Sequence, residues 1–367
     1  DADRLMQQWA YETFDGDDIP LCDITMVKLP EGFNGFFIHM DHRLIDSCGL
    51  VVMINDLMQL YTHYRFGSEF PKDLADFEMV LEKDLKKANN GKRLAKDKKF
   101  WDDQLDALGE PLYSDIQGPS VLEEARKKHG NKNLRSADIE LKNLFVEVKD
   151  YYLEPEPTKN LIAFCMNHQL SMTNLLLLGI RTYLSKVNDG QEDITIQNFI
   201  SRRSTHDEWT SGGSRTIMFP CRTVIPADME FMAAAYEIQN VQNRIYMHSN
   251  YDPALIMEEM RRRYQTPEHT AYESCYLTYQ PLPVKMDNPH LEQIPQHSKW
   301  FANGAATKKM YLTVSHTEHG GMNFSYHYQT AHLQEHDMEL LYYYMMRILF
   351  KGIAEPDMTI GEIMANV

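Results

Sequence analysis

Apolar residues at positions 5, 6, 9 and 10 recur at helical spacing, which predicts a short amphipathic helix over 4–13. Two apolar runs at 21–28 and 34–40 predict strands. From Gly49 to Tyr64, Leu50, Ile54, Leu57 and Tyr61 fall on one helical face. Phe70-Pro71-Lys72-Asp73 reads as a turn. Residues 94–108 carry Phe100, Trp101, Leu105 and Leu108 on an otherwise charged helix. Gly109-Glu110-Pro111 and the polar stretch 117–136 read as a linker.

The alternation of strand and helix restarts near 137. A strand is predicted from Ile139 to Val148 and a helix from Lys159 to His168. A second helix, opened by Ser171 or Thr173, runs through Leu175 to Leu184 and stops at Asn188-Asp189-Gly190. A buried strand begins at Asp193. Further strands are predicted at 216–225, 273–280, 310–316 and 322–328, with a final helix at 335–350. Strands and helices mixed in both parts predict an α/β (α+β) protein, with residues 1–136 as a first lobe and 137–367 as a second.

Composition narrows the function classes. The chain has 367 residues, 43% hydrophobic and 25% charged, enough for a packed core. A net charge of -16 disfavours nucleic acid and anionic membrane surfaces as partners. The five cysteines are scattered with no C-x-x-C pair, so neither a zinc knuckle nor a disulfide framework is indicated, and a reducing, cytoplasmic setting is expected. No apolar run reaches membrane-spanning length. The start, Asp1-Ala2-Asp3, has neither an initiator Met nor a signal-peptide pattern, which suggests that the sequence begins inside a longer protein. The basic run from Lys83 to Lys99 reads as a solvated helix face, or as a dock for an acidic partner protein. Histidines at 316, 319, 327, 332 and 336 lack a cysteine or carboxylate at ligand spacing, and His39 lies in a strand without an H-E-x-x-H context, so no metal site is assigned.

The chemistry concentrates at one place. The run Phe36 to Met40 ends in Asp41-His42-Arg43-Leu44-Ile45-Asp46-Ser47, and an apolar helix follows. An imidazole is set where strand gives way to loop, with a carboxylate four residues on. A histidine so placed is able to act as a base beside a thioester. The same residues also suit a polar loop whose Asp46 or Ser47 caps the next helix.

This segment resembles the active-site segment of the condensation-domain family of nonribosomal peptide synthetases, whose pattern is H-H-x-x-x-D-G. Other pieces follow in the family's order: Phe100-Trp101, the helix from Met172 to Leu184, Gly213 to Arg222, and His248 to Pro253. Three places depart from the pattern. Asp41 replaces the first His, Ser47 replaces the Gly, and Arg215 and Ile217 replace a Phe and an Asn after Gly213.

The resemblance implies two chloramphenicol acetyltransferase-like lobes in a V shape, the first incomplete in this sequence. It implies a tunnel with His42 at its middle. Donor and acceptor would enter on phosphopantetheine arms of carrier proteins or neighbouring synthetase modules, with no cofactor bound intrinsically. His42 would orient or deprotonate the attacking amine. Asp46 would pair with an arginine, for which Arg222 or one in a preceding segment is the candidate, because an unpaired buried carboxylate costs several kcal/mol. Asp41 and Ser47 flank the motif, and Gly213 and Arg222 support it. Ser47 is tolerable only at negative φ. Asp41 would raise the His42 pKa only if the two side chains faced each other, which adjacent residues on an extended chain rarely do. Two other activities fit the same residues: a CoA-dependent O- or N-acyltransferase of the superfamily, and a non-catalytic domain that recruits a partner protein.

Overall fold

The computed structural model describes residues 2–16, 18–29, 32, 34–280, 289–292 and 298–367. Along the chain these form α1 (Ala2–Ala10), β1 (Cys22–Lys28), β2 (Asn34–Met40), α2 (Ser47–Phe66), α3 (Phe77–Ala88), α4 (Gly91–Leu108) and α5 (Ser120–Lys128). Next come β3 (Ala137–Asp138), β4 (Val146–Leu153), α6 (Pro155–Asn167), α7 (Met172–Val187), β5 (Asp193–Ile200), α8 (His206–Thr210), β6 (Ile217–Val224), α9 (Phe231–Met247) and α10 (Pro253–Tyr264). The chain ends with β7 (Thr270–Ala271), β8 (Cys275–Gln280), α11 (Pro289–Glu292), β9 (Met310–His316), β10 (Met322–Gln329), α12 (Glu335–Ala354) and α13 (Ile360–Asn366).

These elements group into two compact units. Unit 1 holds residues 1–83, 201–216 and 282–305; unit 2 holds 84–200, 217–281 and 306–367.

Unit 1 contains the hairpin β1–β2, antiparallel from Cys22↔Met40 to Lys28↔Asn34. Period-two alternation turns Phe37 inward, where it meets the rings of Trp9 at 5.5 Å and Phe301 at 6.0 Å. The opposite face leaves Ile24 and Met26 exposed.

Unit 2 is built on a six-stranded sheet in the order β4-β10-β9-β8-β5-β6. Its β8 pairs parallel with both β5 and β9, and the remaining pairs are antiparallel. The central helix α7 is buried on every side from Asn174 to Ser185, so burial rather than amphipathicity defines it. Ser171 caps it by accepting from the Asn174 N–H. The helices α6 and α7 together have the length and apolar character of a bent membrane span, but α7 lies within the unit 2 core. Among the described residues no single helix is long and apolar enough to cross a membrane.

Two expectations are corrected. The stretch 117–136 is not a bare linker: α5 buries Leu122 and Ala125 in a small core with Tyr113, Leu134 and Ala137. Its polar composition hid two apolar positions one turn apart. The strand expected at Ile139 to Val148 lies later, at β4, because only residues 146–153 pair with β10. Residues 84–136, expected with the first lobe, pack in unit 2. There Trp101 stacks on Phe219 at 5.7 Å, and the Asn188 amide donates to the Asp115 carbonyl at 2.8 Å. The helices α9 and α10 were not among the expected elements.

Candidate active site

The antiparallel hairpin delivers Asp41 at the end of β2, where its N–H donates to the Leu21 carbonyl at 2.9 Å. The chain then turns through residues 42–44, and the Leu44 N–H donates back to the Asp41 carbonyl at 3.0 Å. His42 sits on this turn and is exposed. Asp41 does not pair with it. The Arg43 guanidinium closes on the Asp41 carboxylate as a fork, with two bonds of 3.0 Å, and the Arg43 N–H adds a third at 2.8 Å. Those side-chain and backbone bonds hold the Asp41 carboxyl below its ordinary value. The changed residue therefore stiffens the turn, and a strong Asp41–His42 pair is not formed.

Asp46 is 2% exposed and is the N-cap of α2. Its Oδ1 accepts from the Gly49 N–H at 2.8 Å and from Arg203 Nη2 at 2.9 Å. Its Oδ2 accepts from Arg203 Nη1 at 2.7 Å, the Arg215 N–H at 2.8 Å, and the Thr216 N–H and hydroxyl at 2.9 and 2.8 Å. One carboxylate thus ties α2 to the segment 201–216. Burial alone pushes this carboxyl up; the Arg203 fork and the N–H groups of Gly49 and Arg215 outweigh it and bring it down to about 2. A carboxyl so lowered is ionised at neutral pH.

The partner of Asp46 is Arg203, not Arg222. Arg222, on β6 in unit 2, is saturated elsewhere: its guanidinium grips Asp193 through two bonds of 2.7 Å and donates to the carbonyls of Leu108, Gly109 and Glu110. The register explains this. Thr195 lies opposite Arg222 on β5, so Asp193 is a near cross-strand neighbour on the same face.

Gly213 is placed where its residue type is required. It has φ +68, and an added Cβ would lie 2.2 Å from the Phe77 ring. Its carbonyl accepts from Arg203 Nη2 at 2.9 Å. A Cβ on Gly49 would meet that same carbonyl oxygen at 2.5 Å, so α2 and the 212–213 turn touch backbone to backbone. Ser47 is the first residue of α2 and is not among the residues with positive φ, so serine costs nothing in backbone strain here.

Arg203, Thr216 and Glu208 were missed from sequence. Glu208 closes a capping box on α8, accepting from the Ser204 and Thr205 N–H groups at 2.8 and 3.0 Å, and ion-pairs with Arg215. Arg202-Arg203 directly after a buried strand was the available signal, since a buried arginine needs a carboxylate.

The condensation-domain family model matches residues 1–365. The chain belongs to the condensation-domain family. A plipastatin synthase polypeptide of Bacillus subtilis (strain 168) is 19% identical over 347 residues, which are 94% of this chain and 12% of that protein. The chain thus spans about a tenth of the length of the curated relatives it matches. The first condensation domain of the calcium-dependent antibiotic synthetase, solved with a substrate analogue, superposes with a TM-score of 0.75 at 15% identity, covering 98% of this chain and 76% of that one. The X-domain solved in complex with OxyB from teicoplanin biosynthesis gives 0.71 at 14% identity, covering 98% and 77%. These likenesses show that the mixed α/β fold is the condensation-domain fold. The family is generally acyltransferase-like.

Proposed function

We propose that this condensation domain forms an amide bond between an acyl or aminoacyl thioester and an amine, as one part of a nonribosomal peptide synthetase. The donor would ride on the phosphopantetheine arm of a carrier protein, and carrier proteins or neighbouring modules are the partners. His42 is the catalytic residue of this reading. As the amine nitrogen attacks the thioester carbonyl carbon, the carbon–sulfur bond breaks. The amine proton passes to the imidazole and from there to the departing thiolate. Base catalysis of this kind contributes about 10²–10⁴-fold, and positioning of the amine contributes further. Asp46, held ionised, anchors the start of α2 and so the end of the His42 turn. Asp41 with Arg43 fixes the beginning of that turn, while Ser47, Gly213 and Arg222 act on structure. The five unpaired cysteines suit a reducing, cytoplasmic setting.

The observation that carries this reading is the buried Asp46 network, four residues along the chain from the exposed His42, in a chain matched by the family model over residues 1–365. A second reading, a recruitment domain without turnover, is favoured by the replacement of the first motif histidine with Asp41 and by the likeness to an X-domain solved with OxyB. The test incubates the protein with a carrier-bound acyl donor and an amine acceptor, with the matching CoA thioester as a parallel arm. Amide product from the carrier arm is expected. Product from CoA alone indicates an acyl-CoA enzyme, and tight carrier binding with no product in either arm indicates recruitment.

A further inference from the structure

The six-stranded sheet of unit 2 has two edges, and they are built differently. The edge strand β6 carries Pro220, which has no N–H to offer a neighbouring strand. The edge strand β4 has no proline in its eight residues. Exposed apolar side chains gather along it: Phe145 is 50% exposed, Val148 39% and Tyr152 45%. An open edge of this kind is a template for another strand.

The register shows which backbone groups of β4 point outward. The Thr330 N–H donates to the Phe145 carbonyl at 3.2 Å, which continues the β4–β10 register by one residue. Backbone direction alternates along an antiparallel strand. Phe145, Glu147, Lys149 and Tyr151 therefore bond toward β10, while Val146, Val148 and Asp150 turn their N–H and C=O groups to the free side. Two contacts bracket that run. The Leu144 carbonyl accepts from the Ala306 N–H at 2.9 Å, and the Tyr152 carbonyl accepts from the Tyr342 hydroxyl at 3.3 Å. Among the described residues no strand pairs with 146–150 on that side.

The charges of β4 complement themselves in one antiparallel register. A two-fold axis through Glu147, Lys149 or Asp150 would set a like charge against its own copy. Axes further out would rely on Leu144 or Tyr152, whose carbonyls are taken. An axis through Val148 sets Val148 against Val148, and Glu147 of each copy against Lys149 of the other. These charged pairs fall at the positions without backbone bonds between the copies, where side chains come closest. The same axis sets Phe145 opposite Tyr151. Glu147 takes the Tyr328 hydroxyl on one oxygen, and Lys149 holds Glu335, which leaves a second carboxylate oxygen and further ammonium hydrogens for the partner.

We infer that β4 is a self-association edge: two copies of this chain pair antiparallel through the N–H and C=O groups of Val146, Val148 and Asp150, with Glu147 of each copy facing Lys149 of the other. This surface stands independently of the amide-forming reading.

Sedimentation velocity of the intact chain over rising concentration tests it. A reversible monomer–dimer equilibrium is expected, in the weak range that suits a small interface. Val148→Pro removes the central N–H at an outward position where proline is tolerated, and is expected to weaken the dimer about tenfold or more. Lys149→Glu and Glu147→Lys each set like charges opposite one another, and each is expected to weaken it about tenfold. An equimolar mixture of those two variants is expected to recover association, because every facing pair is again of opposite charge. In the parent, amide exchange at Val146, Val148 and Asp150 is expected to slow as concentration rises. The inference is overturned by a chain that stays monomeric up to about 1 mM. It is equally overturned by a dimer that the three variants leave unchanged, by a mixture that associates no better than its components, or by a dimer in which those three amides gain no protection. A melting scan checks that each variant folds; if Val148→Pro does not, the mixture of charge variants decides.

Discussion

The 20-residue helix α2 in unit 1 buries only Gly49 and Thr62, whereas the 16-residue α7 in unit 2 buries everything from Asn174 to Ser185. The first helix is fixed at its N-terminus by charge-assisted bonds to one carboxylate. The second is fixed mainly by apolar contact, with Arg181 donating to the Glu192 carbonyl at 2.7 Å. Six bonds to Asp46 do for α2 what the leucine-rich core does for α7. Apolar burial is non-directional and tolerates small shifts, while the Asp46 network holds only at bond distances of 2.7–2.9 Å. The turn that carries the exposed His42 begins four residues before that anchor.

Removing the anchor separates the two regimes most sharply. Asp46→Ala leaves Arg203 buried without its counter-charge and is expected to cost about 3–5 kcal/mol. Amide hydrogen exchange is expected to show the loss in α2 and in 201–216, with α7 unchanged. The converse change, Leu176→Ala at a fully buried site, is expected to cost about 3 kcal/mol and to raise exchange in α7 while sparing α2.

Acid distinguishes the regimes without mutation. The Asp46 carboxyl falls from its ordinary 3.8 to about 2 in the folded chain. Its stabilising contribution, about 2 kcal/mol, is full above pH 4 and disappears as the pH falls through about 2. Glu208 is lowered in the same way. Protection of α2 is therefore expected to fall in that window before protection of α7 falls. The smallest effect concerns the exposed fork. Arg43→Ala is expected to cost about 0.5 kcal/mol and to be salt-sensitive, as a solvated pair is.

Those same regimes explain what was legible in the sequence. The strands at 21–28 and 34–40 and the helix from Ser171 to Asn188 were readable because their spacing or caps carry the signal locally. The family, the mixed fold and the positions of His42 and Asp46 came from one short segment and the order of the others. Arg203 was not readable, because it meets Asp46 across 157 residues and no local pattern encodes that pairing. Arg222 was chosen in its place on motif position alone, and the β5–β6 register assigns it to Asp193. The helix α5 was hidden because its buried residues are few among charged ones.

In the proposed mechanism the His42 imidazole acts in amide formation while Asp46 anchors the helix that follows its turn. The most direct measurement is the single-turnover rate of amide formation from a carrier-bound donor by His42→Ala beside the parent, with α2 exchange measured on both. A fall of about 10²-fold or more is expected, with α2 protection unchanged. A rate equal to the parent's, in a variant whose α2 is still protected, would contradict it.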